Sequence, residues 1–157
     1  MKKKITFLIL VLWMIVIFCF SAQNGTRSSG ISRFIGYGIA EKQNQLHQQE
    51  KSKEKIEEQV EGMQFLIRKS GHMGEYALLA ILVLIHMSCY VNKPKKYWLW
   101  GWAFCILYAI TDEIHQLFVP GRSGRIFDVG VDAVGSLVGV AVFTIFLQLF
   151  AYFRKKN

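Results

Sequence analysis

The chain has 157 residues, 52% of them hydrophobic and 14% aromatic, with two prolines and a formal net charge of +8. It is too apolar for an ordinary soluble domain and too short for two domains, so a single membrane domain over residues 1–157 is expected. Its cations gather at the ends of apolar runs and form no basic stripe interleaved with stacking aromatics, which argues against nucleic acid as a partner and makes the charge a topology signal.

Lys2, Lys3 and Lys4 precede the apolar run Ile5 to Phe20, which ends on Ser21, Ala22 and Gln23. Cleavage after Ala22 would put the bulky Phe20 where a signal peptidase requires a small residue. The run is therefore expected to stay as a first transmembrane helix over about 5–22, close to the ~20 residues a span needs. Residues 24–71 form a polar insert with eight cationic and six acidic side chains. Ile31, Phe34, Ile35 and Ile39 recur at helical spacing after the caps Ser28 and Ser29, and Ile56, Val60, Met63 and Ile67 repeat the pattern. Two amphipathic helices lying on the membrane surface would explain both stripes. The Gln- and Lys-rich tract from Lys42 to Lys55 fits a linker between them equally well.

Further apolar runs predict spans at about 73–91, 97–114 and 129–150. The third opens on Tyr97, Trp98, Trp100 and Trp102, the pattern of an interfacial aromatic belt. Cys19, Cys89 and Cys105 fall in or at the edge of different apolar runs and read as buried small side chains, not as a disulfide framework. The first terminus, the turn from Lys93 to Lys96 and the last terminus hold three cations each and no acid; the stretch from Asp112 to Asp128 has two cations among three acids. The positive-inside rule then puts both termini in the cytoplasm and gives four spans. The fold expected is all-α and polytopic, with an extracytoplasmic helical loop between the first two spans. The polar stretches 21–23, 68–76 and 112–132 then emerge together on the outer side.

Arg68, His72 and Glu75 share one helical face, and Lys69, His72 and Tyr76 the flanking one. If a helix starts near Gly71, Glu75 lies in its first turn, where the helix dipole favours a carboxylate. Asp112 stands three residues before His115 and four before Gln116, and Pro120 and Gly121 end that helix. Arg122 and Arg125 flank a Ser-Gly turn that suits a bidentate phosphate or carboxylate contact, or an internal pair with Asp112, Glu113 or Asp128. Asp128 and Asp132 are one turn apart on a face that continues through Gly135, Ser136 and Gly139, a surface that admits close helix approach. A buried Asp132 needs a cationic partner, with Arg122, Arg125, His115 and His72 available.

Three chemistries fit this set. His72, Glu75, Glu113, His115, Asp128 and Asp132 are acceptable metal ligands, yet their spacings match no standard zinc signature, and no metal or other cofactor is expected. A hydrolase or transferase acting on a lipid-borne head group would draw acid, base and orienting groups from His72, Glu75, Asp112, Glu113 and His115. Arg68, Gln116, Arg122, Arg125, Asp128 and Asp132 would bind its ligand, with Arg122 on the anion and the two aspartates holding the arginines. The third option is non-catalytic: a charge network that stabilises the mouth of the bundle or binds a partner. His47 and His86 belong to none of these.

The segments Phe18 to Gln23 (ending Phe-Ser-Ala-Gln), Arg68 to His72 with Glu75 and Tyr76, Tyr108 to Gln116, Phe118 to Arg122, and Asp128 with Asp132 together resemble the VanZ-like membrane proteins. The likeness covers the chain except residues 41–64. It implies about four spans and a multi-pass protein of the bacterial cytoplasmic membrane that acts in the cell envelope. The family's namesake is associated with resistance to the glycopeptide teicoplanin. The partners expected are membrane lipids and a lipid-linked envelope precursor or anionic polymer. Two departures stand out: Ala22 replaces a second serine common in the first motif, and Asp132 adds a charge where many relatives have Asn or Asp.

Overall fold

The computed structural model describes residues 1–47, 51–91 and 97–156. The basic turn from Lys93 to Lys96 and residues 48–50 of the Gln- and Lys-rich tract lie outside the described residues. The described residues form five helices: α1 (Lys2–Ser21), α2 (Gly25–Leu46), α3 (Lys53–Ser88), α4 (Trp98–Gln116) and α5 (Ile126–Lys156). The expected all-α class is what the structure shows.

At 36 residues, α3 is about 54 Å long and packs against each of the other four helices. The second stripe of the insert is therefore not a separate surface helix. Ile56, Val60, Met63 and Ile67 belong to the first half of α3, which runs without interruption through Gly71 and Gly74 into the apolar half. Glu75 consequently lies about six turns inside the helix, and the expected dipole effect at a helix start does not apply to it.

The first stripe forms α2, capped by the Asn24 side chain, which accepts from the Arg27 amide at 3.0 Å. The face of α2 that meets α3 is small, with Ser32, Gly36 and Ala40 buried and Val60 seated against Gly36. Gln59 donates to Gln43 at 2.7 Å and Arg33 pairs with Glu57, so α2 and the first half of α3 form an antiparallel hairpin. The helices extend inward to Leu46 and Lys53, leaving little of the expected linker from Lys42 to Lys55.

The core joins Tyr76, Leu79, Ala80 and Leu84 of α3 to Ile17 of α1, Cys105 and Ala109 of α4 and Val140 of α5. Side-chain donors lock the helices to one another's main chains: Trp13 to Glu75 O at 3.1 Å, Tyr108 to Met14 O at 2.7 Å and Trp102 to Ala133 O at 3.0 Å. Trp102 is thus part of the packing and Tyr97 is buried, while Trp98 and Trp100 stay exposed, so only half of the expected aromatic belt faces outward. All three cysteines are free, but only Cys105 is buried; Cys19 is exposed and Cys89 half-buried. Gly135 and Gly139 of α5 lie directly on the backbone of Met73 and Ala77, where any Cβ would collide.

Three helices, α1, α3 and α5, are long and apolar enough to cross a membrane. Their outward faces are apolar, as with Leu8, Leu12 and Phe146, each more than 60% exposed. An exposed apolar surface of that extent fits lipid far better than water. The expected third span, α4, is not among the three. Its last turns carry Asp112, Glu113, His115 and Gln116, and the apolar part up to Thr111 spans only about 21 Å against a hydrocarbon core of ~30 Å.

Candidate functional site

The polar residues meet at the end of the bundle where α1 and α4 stop and α5 starts. Asp112, Glu113 and Gln116 are almost fully buried there, at 3–5% exposure. Their helical spacing lets the Gln116 amide bridge both acids, donating to Asp112 Oδ2 at 3.2 Å and Glu113 Oε1 at 3.0 Å. The other Glu113 oxygen accepts the Arg125 backbone N–H at 2.9 Å, which fixes the approach to α5. The connecting turn needs two of its glycines: Gly121 adopts φ +73°, and Gly124 rests on the Glu113 carbonyl too closely for a Cβ.

Arg122 leaves this turn and reaches the end of α1. Its Nε donates to Gln23 O at 3.0 Å and its Nη2 to Phe20 O at 3.1 Å. A cation on carbonyls at a helix C-terminus is favoured by the helix dipole. Burial, reinforced by nearby Arg68, lowers the pKa of Arg122, and the carboxylates of Asp112, Glu113 and Glu75 oppose that shift. The guanidinium stays charged throughout the physiological range.

The aspartates do not hold the arginines, contrary to the sequence-based expectation. Asp128 pairs with Lys69, both side chains being mostly buried. Asp132, only 1% exposed, faces the His72 ring, with Nδ1 3.7 Å from Oδ1, too far for a hydrogen bond, and neither of its oxygens has a hydrogen-bond partner among the described residues. The internal partners available to the acids are thus a lysine and a histidine of α3, while Arg122 is committed to backbone. His115 turns aside and stacks on Phe18, ring centroids 4.3 Å apart.

Two cavities flank a partition made by Arg68, His72 and Arg122. The larger, about 250 Å³, lies between the end of α1, α2 and α3; Phe20, Ile31, Ile35 and Ile67 face it from the apolar side, and Glu75 joins the partition residues. The smaller, about 120 Å³, is polar and is bounded by Lys69, Gln116, Ser123, Arg125 and Asp128. Among the sequence-derived reactive groups, His72 and Glu75 line a cavity, whereas Asp112, Glu113 and His115 line neither of these two. Among the expected binding groups, Arg68, Gln116, Arg122, Arg125 and Asp128 line at least one, and Asp132 lines neither but lies next to His72. Among the described residues no three His, Cys, Asp or Glu side chains converge as a metal site would.

The site residues expected from the sequence do not include Lys69, Phe20, Gln23 or the α2 residues Ile31 and Ile35, although Lys69 is placed there on the face beside His72 and Gln23 on the same outer side. The hydrophobic stripe of α2 was the available signal, and its assignment to the membrane surface hid its place on the cavity wall.

The family model described as VanZ/LLP1 matches residues 6–147, from the first turn of α1 deep into α5. The chain belongs to the VanZ/LLP1 family. Every residue of the partition and of both cavities named above falls within the VanZ/LLP1 match. No curated protein and no solved structure matches the chain.

Proposed function

We propose that this VanZ-like protein binds an anionic, lipid-linked envelope component at the outward face of the bacterial cytoplasmic membrane. The observation that carries the reading is the larger cavity. It sets Phe20, Ile31, Ile35 and Ile67 against Arg68, His72, Glu75 and Arg122, an arrangement suited to a molecule with an apolar chain and a charged head. In this reading α1, α3, α4 and α5 are four spans with both termini in the cytoplasm. The short α4 reaches the surface by letting its carboxylates emerge at the head-group level, and the hairpin of α2 and α3 projects outside. Lowered susceptibility to teicoplanin, the trait tied to the family's namesake, is the physiological consequence we attach to such binding.

Binding is favoured over chemistry because both Glu113 oxygens and Asp112 Oδ2 are engaged by the Gln116 amide and the Arg125 N–H, only Asp112 Oδ1 being left without a partner, and Arg122 is occupied by α1. Of the groups a reaction would use as acid or base, only His72 and Glu75 line these cavities. Incubating the purified protein with labelled lipid-linked envelope precursors separates the two. The expected result is saturable retention of chemically unchanged precursor; a new product would establish an enzyme, and no retention would remove the proposal.

A further inference from the structure

The smaller cavity adds information about the ligand's head. Four cationic side chains, Arg68, Lys69, Arg122 and Arg125, border it together with a single acid, Asp128. Lys69 neutralises Asp128. Arg122 uses two of its nitrogens on α1 carbonyls. Among the described residues, Arg68 and Arg125 form no ion pair and no side-chain hydrogen bond, and α5 begins immediately after Arg125 with its positive dipole end beside the cavity. The excess of positive charge is therefore concentrated on one side of the partition, and the apolar lining is concentrated on the other.

A space of about 120 Å³ corresponds to roughly four waters at about 30 Å³ each, enough for a compact anion. A phosphate monoester carries about −1.5 to −2 charges at pH 7 and three acceptor oxygens, which two arginine forks can engage together. A zwitterionic head group would bring its own cation into a wall that already holds an excess of them.

Building on the amphiphile reading above, we propose that the two cavities form one divided site for a long-chain phosphate monoester. The phosphate sits in the smaller cavity against Arg68 and Arg125, the chain leaves past Phe20, Ile31 and Ile35, and the His72 and Arg122 partition marks the junction of head and chain. Arg125 is exposed, and the hydrogen bond it gives Glu113 comes from its main-chain N–H, which a substitution retains, so removal of its side chain is expected to leave the fold in place.

The test uses the purified full chain in nanodiscs with three probes: a long-chain alkyl phosphate monoester, its parent alcohol, and inorganic phosphate. The monoester is expected to bind at least roughly tenfold more tightly than the alcohol, as charge-assisted hydrogen bonds require. Arg125→Gln should remove most of that difference without changing alcohol binding, and Arg125→Lys should restore part of it. Equal affinity for monoester and alcohol overturns the phosphate subsite while the amphiphile reading stands. Inorganic phosphate binding as tightly as the monoester overturns the divided site in favour of a free-anion site. Failure of both long-chain probes overturns the amphiphile reading along with it. Unchanged gel-filtration profiles of the variants confirm that affinity, and not folding, is being measured.

Discussion

Arg122 joins the turn between α4 and α5 to the end of α1 through two hydrogen bonds to main-chain carbonyls. Hydrogen bonds from a charged donor contribute about 1.5–3 kcal/mol each when buried, less when half exposed as here. Arg122→Ala should therefore destabilise the protein by about 2 kcal/mol, and Arg122→Lys should recover only part, because an ammonium cannot span both carbonyls with a planar fork. Thermal unfolding in detergent measures both; equal melting temperatures for wild type and Arg122→Ala would show that the turn is held by other contacts. The partner of Arg122 is hidden in the sequence for a physical reason. Side-chain charges are visible in a sequence and main-chain acceptors are not, so charge matching pairs each arginine with an acid. The bridge from Gln116 to Asp112 and Glu113 lies within one helix, where spacing suffices, and the geometry follows directly from it.

At the scale of elements, α3 determines where everything else is placed. Gly71 and Gly74 read in the sequence as the start of a new helix because glycine weakens helices by about 1 kcal/mol relative to alanine. Packing outweighs that cost: α2 covers the first half of α3, and α1, α4 and α5 surround the second. The two kinds of glycine in this bundle should respond oppositely to substitution. Gly74 has open space where a methyl group would project, so Gly74→Ala should stabilise by about 0.5–1 kcal/mol. Gly139 sits on the Ala77 carbonyl, so Gly139→Ala should force α5 away from α3 and lower the melting temperature. A rise for Gly139→Ala would mean that the two helices are not closely apposed. The small residues of α5 are legible as a packing face from their four-residue spacing. The equivalent face of α2, Ser32, Gly36 and Ala40, is overshadowed by the larger stripe beside it.

For the whole molecule, all-helical architecture and membrane character are legible because long apolar runs and their charged ends require no knowledge of packing. The hairpin is not, since the face of α2 that meets α3 is the small one of Ser32, Gly36 and Ala40, while the apolar stripe that draws attention in the sequence stays exposed. The division of the polar cluster into an apolar and a cationic cavity is equally hidden, because it depends on α2 folding back over His72 and Glu75. Binding of an envelope ligand requires that this cluster open on the outer side of the membrane. Cysteine labelling in intact cells decides it, using single cysteines at Ser123 and at Lys155 in a background lacking Cys19, Cys89 and Cys105. A membrane-impermeant maleimide is predicted to modify the Ser123→Cys protein and to spare the Lys155→Cys protein until the cells are opened. Labelling of Lys155→Cys with protection of Ser123→Cys would turn the site toward the cytoplasm and contradict the proposed binding of an envelope ligand.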